Sequence, residues 1–97
     1  MRAYLIVDLR IHDFESFREY IEKVPAFIEK HGGKYIVRGS AEPVPMEGDW
    51  RPERLVILEF PSPESGKAFL ADPDYQDLLA LRLRTTTGNL VLVEGCS

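Results

Sequence analysis

The chain has 97 residues, with 12 Lys and Arg against 16 Asp and Glu, which gives a formal net charge of −4 at neutral pH. This length predicts a single domain over residues 1–97, and a hydrophobic fraction of 44% excludes a disordered chain. The negative charge argues against nucleic acid and anionic membrane surfaces as partners. No apolar run approaches the ~20 residues of a membrane span. The single cysteine, Cys96, allows no internal disulfide, which favours a cytoplasmic location.

The first half of the chain predicts a strand, a helix and two further strands. Residues 2–9 are rich in β-branched and aromatic side chains and predict the first strand. Asp13 is a typical helix N-cap, and apolar residues then recur at three- and four-residue steps until Gly32. Pro25 lies within this helix, where we expect a kink. Residues 34–39 and 54–60 predict the second and third strands, which are joined by a Pro-rich loop that suits a lid, an interface arm or a loose hairpin.

The second half predicts helical structure followed by a last strand. Ser62 before Pro63 is a helix start signal, and Asp72 before Pro73 repeats it. Gly88 and Asn89 predict a turn into a strand over residues 90–94. The order β-α-β-β-α-β predicts an α+β fold of the ferredoxin-like type, in which a four-stranded antiparallel sheet carries two helices on one face.

The predicted strands are apolar on both faces, whereas an antiparallel sheet with one wet face alternates apolar and polar residues. In the first strand Leu5 and Val7 share one face, and Tyr4 and Ile6 occupy the other. Two helices on one side cover only one face of the sheet. We therefore expect the second face to pack against a second copy of the chain, giving a homodimer.

Residues along the whole chain carry a resemblance to a known family. They include Tyr4, Asp13, Tyr20, His31-Gly32-Gly33, Val37-Arg38-Gly39, Glu47-Gly48, Glu59-Phe60-Pro61-Ser62, Pro73-Asp74-Tyr75, Arg82 and Val93-Glu94-Gly95. This set resembles the family of domains of unknown function numbered 1330. The resemblance implies a dimeric α+β barrel, in which two ferredoxin-like chains pack their sheets together. The wider superfamily includes small monooxygenases, lactone isomerases, haem-dependent enzymes and ligand-sensing domains, but the family implies no established reaction.

The histidines and the cysteine predict neither a metal site nor a bound cofactor. His12 and His31 have no ligand partners at the usual spacing, and no paired-cysteine motif is present. A haem would depend on His31 alone as axial ligand. The simpler interpretation is that His31 interacts favourably with the end of the first helix, although it is also a candidate for proton transfer.

Two acids near strand ends, Asp8 and Glu59, are candidate catalytic residues together with His31. We expect the first and third strands to be adjacent and parallel, which would bring both carboxylates near the same end of the sheet, where one of them would have a raised pKa. The alternative is that each acid is solvated or paired with an arginine.

Tyr20, Arg38, Tyr75 and Arg82 form a candidate ligand-binding group. Arg82 lies on the apolar stripe of the last helix and needs an anionic partner, because an unpaired buried charge is costly. Glu59 or Glu94 could supply an internal partner, and a small organic acid would serve equally well. We expect the internal pair by a narrow margin.

The sequence therefore favours a small soluble homodimer with a pocket for a small organic molecule, for which a small organic acid is a candidate. One alternative is a cofactor-independent enzyme of the isomerase or monooxygenase type. Another is a structural or stress-associated dimerisation module without turnover.

Overall fold

A computed structural model describes residues 1–96 and contains four strands, three α-helices and one short 3₁₀ helix. The strands are β1 (Ala3–Ile11), β2 (Lys34–Val37), β3 (Arg54–Phe60) and β4 (Thr86–Glu94), and the helices are α1 (Phe14–Lys30), α2 (Pro63–Ala71) and α3 (Gln76–Thr85). The 3₁₀ helix, Pro73–Tyr75, joins α2 to α3. The predicted ferredoxin-like α+β class is confirmed, with the second helical region divided in two.

The strands form one antiparallel sheet in the order β2-β3-β1-β4. The expectation that β1 and β3 run parallel is wrong, because β1 pairs with β3 antiparallel and places Tyr4 opposite Glu59. A β-α-β unit makes β1 and β2 parallel, and the β2–β3 hairpin then reverses the direction of β3. Because β1 and β3 run in opposite directions, Asp8 and Glu59, each near the C-terminal end of its strand, lie toward opposite ends of the sheet.

The two ends of α1 show how local sequence sets the boundaries of a helix. Asp13 caps α1 by accepting a hydrogen bond from the Ser16 backbone N–H at 3.2 Å, and α1 continues as one helix through Pro25. Gly32 follows the helix with φ +79°, a left-handed conformation that favours glycine.

The predicted turn at Gly88 and Asn89 is wrong, because both residues lie inside β4, opposite Leu9 and Asp8. A Cβ at Gly88 would stand 1.7 Å from the Asp8 carbonyl oxygen, so this glycine permits a close approach of two strands and not a turn.

The inner face of the sheet packs against the helices and holds the core. Leu5 of β1 and Leu58 of β3 meet Val24 and Ile28 of α1 there. Phe69 of α2 joins the same cluster. This face carries the candidate site.

The outer face of the sheet has no helix over it. Ile6 of β1 lies opposite Ile57 of β3 and Val91 of β4, and Val91 is 54% exposed. The loop between β2 and β3 reaches this face through Trp50, whose indole Nε1–H donates to Asp8 Oδ2 at 3.3 Å. Apart from Trp50, this face is lined at its centre by aliphatic side chains. In residues 1–96, no helix combines the length and the apolar character that crossing a bilayer requires.

Candidate functional site

A cavity of about 200 Å³ lies between the inner face of the sheet and helix α1. Its walls are mainly apolar and aromatic, with Val7 and Leu58 from the sheet and Phe17, Val24 and Phe69 from the helices. Apolar walls with few polar groups are typical of small-molecule sites. The cavity is the main candidate for a ligand site.

The charged side chains in the wall of this cavity are all cations. Three arginines line it, Arg38, Arg54 and Arg82, and no Asp, Glu or His stands among the described residues of its wall. The chain as a whole carries a net charge of −4. A cavity lined with cations in an acidic protein favours an anionic occupant over a cationic one.

Arg82 reaches the cavity because of its place on α3. It shares the buried stripe of that helix with Leu78 and Leu81, as the helical spacing predicts. The Thr86 hydroxyl donates to the Arg82 carbonyl oxygen at 2.6 Å and holds the helix end. Arg82 lines the cavity from α3 and is only 9% exposed.

Arg82 has no anionic partner within residues 1–96, so the expected internal ion pair with Glu59 or Glu94 is wrong. Its Nε atom is buried and has no hydrogen-bond partner in the described part of the chain. Buried polar groups are nearly always satisfied in native proteins. Because Arg82 lines the cavity and has no carboxylate partner, its guanidinium group is the candidate contact for an anion that enters the cavity.

Glu59 is unavailable to Arg82 because it lies on the outer face of the sheet. There its carboxylate stands 3.5 Å from Arg2 Nε and 3.6 Å from Lys34 Nζ, and it accepts a hydrogen bond from the Tyr4 hydroxyl at 3.2 Å. Asp8 lies on the same face, four positions away in the register and about 13 Å along the strand. The two acids do not form a carboxylate pair, and neither lines the cavity.

Tyr20 and Tyr75 meet beside the cavity. Their hydroxyl oxygens lie 2.6 Å apart, and Tyr75 is fully buried. Burial, together with the neighbouring Tyr75, raises the pKa of Tyr20 far above its usual range, and the Arg82 charge opposes this rise only in part. Tyr20 therefore stays protonated near neutral pH, and the pair offers O–H donors.

Arg38 and Tyr35 line the same cavity from the β2 side. The Arg38 guanidinium lies 4.1 Å from the centroid of the Tyr35 ring, a cation–π contact. Burial raises the pKa of Tyr35, and the Arg38 charge lowers it in part. The structure thus brings the four predicted ligand-binding residues, Tyr20, Arg38, Tyr75 and Arg82, to one cavity.

Sequence reasoning missed Tyr35, Ser40 and Arg54 in the cavity wall. Tyr35 was detectable in principle, because alternation along β2 places it on the inner face, opposite Leu58. Ser40 belongs to a loop with no periodic signal. Arg54 begins β3, opposite Leu9 of β1, and strand alternation places it on the same face as Val56 and Leu58.

His31 lies outside the cavity wall and contacts Asp72 instead. Its Nε2 stands 2.8 Å from Asp72 Oδ2, and Lys30 Nζ stands 2.8 Å from the same oxygen. Asp72 Oδ1 accepts the backbone N–H of Asp74 at 2.9 Å. Hydrogen bonds from Lys30, His31 and the Asp74 backbone hold the pKa of the Asp72 carboxyl well below its usual range. This cluster ties the end of α1 to the junction of α2 and the 3₁₀ helix.

Within residues 1–96, no group of three His, Cys, Asp or Glu side chains is arranged to hold a metal ion. A second, open depression of about 390 Å³ adjoins the cavity and shares Leu9, Ser40 and Arg54 with it. These shared residues mark where the cavity meets the surface.

Fold and site together define a ferredoxin-like α+β protein with an arginine-lined cavity on the helical side of its sheet. The chain belongs to the family described as a domain of unknown function, DUF1330, whose model matches residues 2–96. No functionally curated protein matches the chain in sequence.

Two solved structures share the fold. A protein of unknown function from Rhodopseudomonas palustris, RPA0582, has 16% sequence identity and a TM-score of 0.79, over 99% of this chain and 83% of that chain. SnoaB, a cofactor-independent oxygenase from Streptomyces nogalater, has 13% identity and a TM-score of 0.69, over 99% of this chain and 94% of that chain. At these identities the likeness extends to the fold alone.

Proposed function

We propose that the protein binds a small organic anion in the cavity between α1 and the sheet. The single observation that carries this proposal is Arg82, a buried cation in the cavity wall whose Nε–H has no acceptor within residues 1–96. Leaving a buried charged donor unsatisfied is costly, and a ligand oxygen removes that cost. A carboxylate matches the fork of a guanidinium group in shape and charge.

The composition of the wall favours binding over proton-transfer catalysis. The predicted catalytic candidates, Asp8, His31 and Glu59, all lie outside the wall. The titratable groups of the wall are tyrosines and arginines. A general base with a pKa near neutrality is therefore missing from the described wall, whereas donors for an anion are plentiful.

Thermal melting against a panel of salts tests this function. Acetate and benzoate should raise the melting temperature, and benzylammonium chloride should not. At 100 times its Kd, a ligand stabilises the fold by about 2.7 kcal/mol. Arg82→Met should abolish the response, and Arg84→Met, the matched control at an exposed position of the same helix, should keep it. Equal responses in both variants would contradict the proposal.

A second candidate function is cofactor-independent catalysis on the bound anion. The observation that favours it is the hydrogen-bonded hydroxyl pair of Tyr20 and Tyr75, which lines the same cavity as Arg82 and could stabilise an oxyanion formed on a substrate. SnoaB, which shares the fold, is described as a cofactor-independent oxygenase. Proton exchange at the carbon next to the carbonyl of a bound keto acid, followed by NMR in D₂O, separates the two functions. A binding protein leaves this exchange rate unchanged.

The outer face of the sheet supports the further proposal of a homodimer. Ile6, Ile57 and Val91 form an apolar centre without a covering helix. Acidic and basic groups stand at its margin, among them Glu59 and Lys34. A second copy related by a two-fold axis would bury the apolar centre in one isologous contact.

A further inference from the structure

The Tyr20 and Tyr75 hydroxyls carry two protons between them, and the hydrogen bond that joins them needs only one. The bond between the two oxygens, 2.6 Å long, takes one of the two protons. Neither hydroxyl has another hydrogen-bond partner within residues 1–96. Since Tyr75 is fully buried and both rings line the cavity, a ligand in the cavity can accept the remaining proton.

The remaining proton and the unpartnered Arg82 Nε–H belong to the same part of the site. Arg82, Tyr20 and Tyr75 all line the cavity, and the Tyr20 and Tyr75 hydroxyl oxygens are in contact. Two neighbouring donors without an acceptor suit the two oxygens of one carboxylate. One oxygen would accept from Arg82 and the other from the tyrosine pair.

The rest of the wall sets the size and shape of the ligand body. A buried apolar cavity of roughly 150 Å³ holds one benzene ring. The cavity of about 200 Å³ therefore has room for one ring and a carboxylate. Its wall includes the rings of Phe17, Tyr35 and Phe69, and edge-to-face or offset contacts between aromatic rings contribute beyond the area that they bury.

We propose that the ligand is a monocyclic aryl carboxylate, bound through Arg82 and through the spare hydroxyl donor of the Tyr20–Tyr75 pair. This inference rests on the proposed anion-binding function and adds the substrate class and a second recognition element. The tyrosines act as hydrogen-bond donors to the carboxylate. The raised pKa of Tyr20 keeps this donor in place across neutral and mildly alkaline pH.

Isothermal titration calorimetry with benzoate, cyclohexanecarboxylate and acetate tests the ligand class. We expect benzoate to bind at least about tenfold more tightly than acetate, because only the ring fills the apolar wall. We expect it to bind more tightly than cyclohexanecarboxylate as well, which has a similar size but no aromatic face. Cyclohexanecarboxylate binding as tightly as benzoate would overturn the aryl class.

The double variant Tyr20→Phe/Tyr75→Phe tests the hydroxyl donor. Its benzoate affinity should fall about tenfold or more, the usual effect of losing one hydrogen bond to a charged group. Tyr4→Phe is the matched control, because the Tyr4 hydroxyl donates to Glu59 on the other face of the sheet and should not affect binding. Unchanged affinity in the double variant would overturn the hydroxyl subsite.

The outcomes separate the two proposals. If no carboxylate binds, or if Arg82→Met binds benzoate as the parent does, the anion-binding function itself fails. If binding depends on Arg82 but not on the tyrosine hydroxyls or the ring, only the aryl carboxylate inference fails. NMR of the unaltered protein needs no variant: addition of benzoate should shift a slowly exchanging tyrosine hydroxyl proton, and an unshifted proton counts against the inference.

Discussion

Two buried charged residues of the chain, Asp72 and Arg82, differ in the partners that the fold provides for them. Asp72 is 5% exposed and receives three donors, from Lys30, His31 and the Asp74 backbone. Arg82 is 9% exposed, and its Nε has no partner within residues 1–96. The first charge is satisfied by the fold alone, whereas the second is left for something else to satisfy.

The surroundings of the two charges explain the difference. Asp72 lies at a junction where α1, α2 and the 3₁₀ helix meet, and its contacts hold these elements together. Arg82 lines a cavity with apolar walls and other cations. A buried charge at a junction indicates a structural role, and a buried charge beside a cavity indicates a ligand. This distinction can be tested one charge at a time.

The largest loss of stability should follow Asp72→Ala. The variant leaves His31 without its carboxylate partner and removes the cap of the 3₁₀ helix. We expect the greatest fall in melting temperature among the variants considered. Benzoate should raise the melting temperature of this variant by about as much as that of the parent, because Asp72 lies outside the cavity wall. Asp77→Ala, at an exposed site in the first turn of α3, is the control for loss of a carboxylate. Equal melting temperatures for the two variants would show that the Asp72 cluster is not structural.

Ile57→Asp should disrupt the proposed dimer while leaving the cavity intact, because Ile57 points away from the helical side of the sheet. Sedimentation should show about half the parent mass, since a charge in an apolar interface centre is strongly unfavourable. Benzoate affinity should stay within about twofold, because the cavity lies inside one chain. Lys23→Asp, on the exposed side of α1, should keep the parent mass. A monomeric parent would contradict the dimer.

Arg82→Met should leave the ligand-free protein nearly as stable as the parent, or more stable. It replaces an unpaired buried charge with an apolar side chain of similar length, and it strands no carboxylate. We expect a change of less than about 1 kcal/mol in the free energy of unfolding, measured by urea titration. A loss of about 3–5 kcal/mol in the free energy of unfolding would instead reveal an internal partner. Arg82 would then be a structural charge, as Asp72 is.

Acid unfolding should report on Asp72 and not on Arg82. The pKa of the folded Asp72 carboxyl is lowered, so its stabilising contribution is present above the unfolded value of about 3.9. That contribution is lost as the pH falls from this value through the lower folded pKa. Stability curves of the parent and Asp72→Asn should therefore converge in acid, and Arg82→Met should run parallel to the parent. Curves for Asp72→Asn that stay parallel would contradict this account.

Arg84→Met should have the smallest effect, within about 0.5 kcal/mol, because Arg84 is an exposed surface residue. Its benzoate response should equal that of the parent. A larger loss in the free energy of unfolding, measured by the same urea titration, would show that both arginines of α3 stabilise the fold. Arg82 would then not differ from Arg84.

The sequence predicted those parts of the structure that depend on local spacing. The helical period placed Arg82 on the buried stripe of α3, and Ser62 before Pro63 marked the start of α2. Parts that depend on strand direction or on distant partners were missed. The face and position of Glu59 follow from antiparallel pairing, and His31 meets Asp72 across 41 positions of the chain. No local pattern specifies either contact.

The same limit explains why the role of Arg82 was the hardest to predict. Its burial follows from its spacing along α3, but the lack of a partner becomes visible only when every nearby carboxylate has been placed. Glu59 was the natural candidate in the sequence, and it proved to lie across the sheet. Periodicity can therefore identify a buried charge, while three-dimensional placement is needed to show whether the fold satisfies it.

The central claim is that the Arg82 guanidinium group binds a ligand anion, and side-chain NMR of ¹⁵N-labelled arginine tests it most directly. The Nε–Hε signal that disappears in Arg82→Met identifies the group. We predict that this signal moves downfield and exchanges more slowly with water as benzoate is added, while the Arg84 signal stays in place. An Arg82 signal that does not change at saturating benzoate would contradict the account.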